Sequence, residues 1–200
     1  MPKLSKLAAG AAAALLPMSV LSAPESYTVD PLHSFPHFMV GHFGMSLIYG
    51  RFEKTSGKLT VDTAAKSGTA EITIETGSVN TGDNERAGRP RTRDEHLRSP
   101  DFFNAQEFPR MTFTGRATRW DGDSPAELAG DLTLLGVSKP VTLKVDFWKC
   151  GPDPRTQGKR YVCGANASGS IKRSDFGMKF AIPGVSDEIR LLIQMEAFRD

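Results

Sequence analysis

The usual marks of catalysis are missing from this sequence. It has no Gly-x-Ser-x-Gly nucleophile elbow, no phosphate-cradling glycine loop and no Cys-x-x-Cys redox pair. With two cysteines and four histidines in 200 residues, metal ligands are scarce as well. Beyond the first two dozen residues no run is apolar and long enough to span a bilayer. The composition, 39% hydrophobic and 24% charged, lacks the biases of disordered, collagenous or coiled-coil chains. What remains is one ordinary globular domain, large enough to enclose a core or a cavity.

The N-terminus carries its own signal. Lys3 and Lys6 precede an Ala- and Leu-rich stretch over residues 7–20, the basic-then-apolar order of a secretory signal peptide. Cleavage after Ser22 puts Val20 and Ser22 at the two small-residue positions, so residues 1–22 are expected to be a signal peptide and 23–200 the mature domain. Pro17 and Ser19 interrupt the run and disfavour a permanent anchor. Losing residues 1–22 takes Lys3 and Lys6 from 25 basic residues and nothing from 23 acidic ones, leaving the charges balanced. A balanced chain is a poor nucleic-acid binder. The one dense basic run, with arginines at 86, 89, 91 and 93, is diluted by Asp83, Glu85, Asp94 and Glu95 and reads as a solvated loop.

Export lets the two cysteines pair. Cys150 and Cys163 flank a stretch of turn residues between two strand-like runs, so a bridge across a hairpin base is expected, worth about 3 kcal/mol.

Almost every other segment alternates apolar and polar residues with period two. Phe38, Val40 and His42 share a face; so do Ile72 with Ile74, Phe113 with Gly115, and Leu128, Leu132 and Leu134. Val141, Leu143, Val145 and Phe147 continue the pattern, and Ile189, Leu191, Ile193 and Met195 close it. About eight such strands, joined by Gly-, Pro- and Asp-rich turns, predict an all-β meander closed into a barrel or folded as a sandwich. Residues 89–108 break the alternation. They suggest two short helical pieces over one opening, the second capped by Ser99 with Pro100 behind it.

The histidines are the main chemical candidates. On a strand, the spacing of His33, His37 and His42 puts the first two on one face and the third on the other, against a three-His metal site. His42, facing inward, is either a satisfied interior histidine or a donor to a ligand's polar head. Phe102, Phe103, Phe108, Phe176, Met178 and Phe180 gather near one end, as a core plug or as the lining of a tunnel for a hydrocarbon. Each buried CH₂ would contribute about 0.8 kcal/mol.

The segments Asp30-Pro31-Leu32-His33-Ser34, Phe38-x-Val40-x-His42 and Gly50-Arg51-Phe52 resemble the opening of the YceI-like family. Residues 93–103, 130–143, 173–178 and 185–189 resemble its later motifs in order, so the likeness runs from about Tyr27 to the C-terminus. The resemblance implies a single eight-stranded antiparallel lipocalin-like barrel in the bacterial periplasm. It implies a long isoprenoid lipid or quinone in the bore, no catalytic residues and no cofactor beyond that ligand. The bore is then expected to be lined by Phe38, Val40, His42, Phe52, Ile72, Ile74, Phe102, Phe103, Phe113, Leu132, Leu134, Phe176, Met178, Ile193 and Met195. Two alternatives stand beside the carrier: an enzyme acting on such a lipid through His42 or His96, and an accessory module touching a membrane or a membrane cytochrome. Pro36 and His37 depart from the family pattern, and the Cys150/Cys163 pair is not general to it. Lacking an N–H, Pro36 predicts a bulge or an edge in the first long strand.

Overall fold

The computed structural model describes residues 23–200, so the expected signal segment lies outside the described residues. Within them the alternating runs become eleven strands. These are β1 (Glu25–Val29), β2 (Phe35–His42), β3 (Ser46–Phe52), β4 (Thr55–Asp62), β5 (Ser67–Glu75), β6 (Val79–Asn80), β7 (Arg110–Asp121), β8 (Ser124–Leu134), β9 (Val137–Pro152), β10 (Tyr161–Lys172) and β11 (Val185–Arg199). Helix α1 (Arg93–Leu97) stands between β6 and β7.

The eleven segments build eight walls, because the first three walls are each broken once. β1 continues into β2, β3 into β4 and β5 into β6, and the partners match: β1 pairs with β4, β2 with β3, β4 with β5 and β3 with β6. The second and third breaks bond to one another, while the first, through Asp30 and Ser34, bonds to Glu196 of β11. Ser78 Oγ accepts from the N–H groups of Glu53 and Lys54, and Glu75 N–H donates to the Lys54 carbonyl. From β5 onward the chain is a plain antiparallel meander to β11. β11 then pairs with β2 along one half (Phe38 opposite Leu191) and with β1 along the other (Tyr27 opposite Arg199), which closes the barrel. Pro36 sits just past the last β2–β3 pair, His37 opposite Arg51, where the missing N–H removes no bond from that ladder.

The barrel has two ends. Turns at 63–66, 122–123 and 153–160 lie at one; the turn at 43–45, the long segment 81–109, the turn at 135–136 and the loop 173–184 lie at the other. In the long segment only α1 forms. Thr92 caps it reciprocally with Glu95: Glu95 N–H donates to Thr92 Oγ1 at 3.0 Å and Thr92 N–H to the Glu95 carboxylate at 2.8 Å. The second helical piece expected after Ser99 is instead a set of reverse turns. The Ser99 hydroxyl donates back to the His96 carbonyl at 2.7 Å, so it does not serve as an N-cap acceptor, and Phe103 N–H returns to the Leu97 carbonyl. Cys150 and Cys163 are directly opposite in the β9–β10 ladder and form the expected disulfide.

One row shifts face. A bulge at Asn166/Ala167 sets two residues of β9 against one of β10, which turns Phe147 outward, half exposed, and brings Trp148 inward.

Candidate functional site

The barrel is hollow. An upper chamber of about 350 Å³ opens between loops 43–45, 81–109 and 173–184. A lower chamber of about 110 Å³ continues toward the other end. The two share Pro36, Ile74, Phe113, Leu143 and Ile193, which form a waist. Fourteen of the fifteen residues expected to line the bore do so. Phe38, Val40, His42, Phe52, Phe102, Phe103, Leu132, Leu134 and Met178 face the upper chamber, Ile72 and Met195 the lower, and Ile74, Phe113 and Ile193 both. Phe176 lines neither. It is buried in the 3-10 turn Arg173–Phe176, which packs against β9, β10 and β11. Ala117, on the same alternating row as Phe113, also lines the floor, and residues that the alternation passed over line the bore too: Met111 above, and Trp120 and Trp148 around the floor. Trp120 and Trp148 lie beyond strand irregularities that reset the inward face, which a strict period-two count cannot follow.

Glycine keeps the bore open despite its aromatic lining. Gly50 is the cross-strand partner of Phe38, and a Cβ there would lie 2.3 Å from the Phe38 ring. The ring therefore lies over the strand instead of across the cavity. Gly115 does the same for Phe113, at 2.6 Å. Above, Phe52 joins wall to cap, with Phe38 at 5.9 Å and Phe103 edge-on at 5.2 Å.

Few polar groups reach the bore; Arg173 and His96 are engaged there, whereas Trp120 Nε1 at the floor has no hydrogen-bond partner. Arg173 is 2% exposed; its N–H groups donate to the carbonyls of Ser186 (2.9 Å), Met178 (3.0 Å) and Val185 (2.8 Å). Burial pulls its pKa below that of a free guanidinium. It braces the 173–184 loop. His96 Nε2 is 2.8 Å from Asp101 Oδ2, and its ring meets Phe102 and Phe180 edge-on. Hydrogen bonds from His96, then Arg91, hold the Asp101 carboxyl below the usual range. His42 lies in the upper chamber with Phe43 edge-on at 4.7 Å. Among the described residues no serine hydroxyl is bonded to the ring of His42 or His96.

Of the other two histidines, His37 also borders the upper chamber. It stands beside Gln194 and Arg51, where burial and then the Arg51 charge lower its pKa. His33 joins Asp30 and Glu196 in the one group among the described residues with a metal-like spacing. Arg155 already occupies that group, donating to His33 Nε2 at 3.0 Å and to Glu196 at 2.7 Å, while His33 Nδ1 faces Asp30 at 2.7 Å. With its one lone pair taken, His33 clamps the β1–β2 corner to β11 and the 153–160 turn.

A closed eight-stranded meander with an apolar bore and this order of motifs has known counterparts. The YceI-like domain matches residues 27–197. This chain belongs to the YceI-like family. Protein YceI of Escherichia coli is 39% identical over 181 residues, covering 89% of this chain and 88% of that one. The crystal structure of the Campylobacter jejuni YceI protein, 30% identical, covers 80% of this chain and 89% of that one with a TM-score of 0.61. A polyisoprenoid binding domain from Saccharophagus degradans, implicated in plant cell wall breakdown, shares the fold: TM-score 0.59 at 19% identity, over 88% of this chain and 99% of that domain.

Proposed function

We propose that this YceI-like protein is a non-catalytic carrier for a long-chain isoprenoid lipid or quinone, exported to the periplasm by its N-terminal segment. The observation that carries this reading is the bore: two connected chambers lined almost entirely by hydrocarbon, running from Phe180 at the mouth to Trp120 at the floor. The span from Met111 to Trp120 on β7 corresponds to about 20–25 Å along the axis of a tilted barrel. A bore of that shape suits an extended chain better than a compact solute. At roughly 0.8 kcal/mol per buried CH₂, a five-carbon unit contributes about 3–4 kcal/mol, so affinity needs few polar contacts. The polyisoprenoid-binding relative supports the ligand class.

The test is extraction of the protein, purified from its native host, with organic solvent, followed by mass spectrometry, alongside uptake of a quinone by the delipidated protein. A stoichiometric isoprenoid and uptake of quinone are expected. No lipid and no uptake would overturn the assignment, and turnover of a bound lipid lost in His42→Ala would replace the carrier by an enzyme.

A further inference from the structure

The loading end of the bore is built unlike any other part of the surface. Phe43, Met45 and Leu47 on one side and Phe180 and Ile182 on the other are 61%, 87%, 50%, 46% and 36% exposed. No Asp, Glu, Lys or Arg occurs from Phe38 to Gly50, and from Phe176 to Gly184 the only one is Lys179. The two loops are fastened together. Phe43 N–H donates to the Gly184 carbonyl at 2.5 Å, and the Phe43 ring lies where a Gly184 side chain would be. Arg173 braces the second loop from beneath. The apolar groups are therefore held outward on a fixed frame. Phe43 and Phe180 also line the upper chamber, so the exposed lip and the bore wall form one continuous apolar surface.

We propose that this lip docks on a phospholipid bilayer, seating the mouth at the headgroup boundary so that an isoprenoid chain passes between membrane and bore without crossing water. The proposal rests on the carrier reading above. The lip exposes on the order of 500 Å² of apolar surface, the size of a functional patch. Two observations favour a bilayer over a protein. The lip's most exposed member, Met45, projects from a turn tip and offers no groove to a complementary partner. Lys179 places a cation at headgroup level with no acid between Phe38 and Gly50 or between Phe176 and Gly184; the second loop's one acid, Asp175, lies just before that stretch. The arginines of the 81–109 segment are engaged within the molecule: Arg86, Arg89 and Arg91 pair with Glu95, Asp83 and Asp101, Arg98 donates to the Gly77 and Val79 carbonyls, and Arg93 to Thr81 Oγ1.

The experiment is flotation of ligand-free protein with phosphatidylcholine vesicles, with and without added phosphatidylglycerol, at low and high salt. The wild type is expected to float with both compositions and to stay bound in high salt. The double variant Met45→Asp/Leu47→Asp changes residues that line neither chamber and is expected to lose vesicle binding by about tenfold or more. Its quinone uptake from dilute ethanol should be unchanged. Met45→Trp should shift its emission to the blue on vesicles and be quenched by brominated lipid. A wild type that never floats, a double variant that floats equally well, or an unquenched Met45→Trp overturns the proposal. So does binding that needs anionic lipid and is released by salt, which would assign the contact to the arginine segment, or a dimer broken by the double variant in vesicle-free solution. Flotation is read without ligand and uptake without vesicles, so failure of docking and failure of the carrier reading are separately visible.

Discussion

At the end of the barrel away from the mouth, the turns are charged and their charges are tied to one another. Lys66 reaches Asp123 and the Gly122 carbonyl, each at 2.6 Å; Arg155 holds Asp153, Glu196 and His33; and the Cys150–Cys163 disulfide closes the 153–160 hairpin. At the mouth, the stretches 38–50 and 176–184 hold Lys179 as their one Lys or Arg and no acid, and they expose Phe43, Met45, Leu47, Phe180 and Ile182. The polar end satisfies its groups within the molecule, whereas the mouth leaves apolar surface that only an outside partner can cover. On the proposed reading, the charged end serves stability and the mouth serves recognition.

Perturbing the two ends separately sharpens that division. The largest effect expected is on stability. Replacing both Cys150 and Cys163 by serine should cost about 3 kcal/mol in denaturant unfolding, with quinone affinity of the folded protein unchanged. A matching loss of affinity would mean the ends are coupled. Next comes Gly50→Ala, whose Cβ would displace the Phe38 ring from the wall into the upper chamber. Overpacking of this kind costs about 1–3 kcal/mol. A loss of about tenfold or more in quinone affinity by titration is expected on that scale, with the barrel's circular dichroism retained. Unchanged affinity would show that the ring's position does not govern capacity. Ala117→Phe fills the lower chamber and should exclude long chains while leaving short-chain quinones bound, measured by competition across chain lengths. Equal binding of both would show that the floor plays no part.

The smallest effect is with acid and falls on both ends. Asp83, beside Arg89, and Asp200, beside Lys58, each have a pKa lowered from 3.8 to about 2. A carboxyl depressed on folding stabilises the fold above its unfolded pKa and loses that contribution as pH falls through the folded value. The melting temperature should therefore decline between about pH 4 and pH 2, the window set by those two values. A rise over that window would contradict the assignment.

Much of this was legible in the chain. The inward rows Ile72/Ile74 and Leu132/Leu134, the hairpin disulfide and the closed all-β architecture follow from alternation, turns and motif order. The exchange of Phe147 for Trp148 was not, because a bulge arises from pairing with β10 and leaves no mark in β9 itself. Nor was the loss of the second helical piece, since the Ser99 hydroxyl's choice of the His96 carbonyl is a matter of local geometry. The hollowness of the bore was hidden for a similar reason. Gly50 and Phe38 are twelve residues apart, and only the register that makes them partners explains why the ring lies over the wall. A glycine inside a strand does hint at close approach, but it does not name what approaches.

The closure through β11 bears on how the molecule comes to be. Every other wall pairs with its neighbour in sequence, whereas the seam joins Tyr27 to Arg199 and Phe38 to Leu191. The ring cannot shut until the last fifteen residues of the chain are available. Before then the sheet has two free edges and its greasy inner face lies open to water, which makes the nascent chain an aggregation hazard. The seam's long sequence separation also slows folding. A chain whose ring shuts only through β11 stays open along its length until that strand is in place.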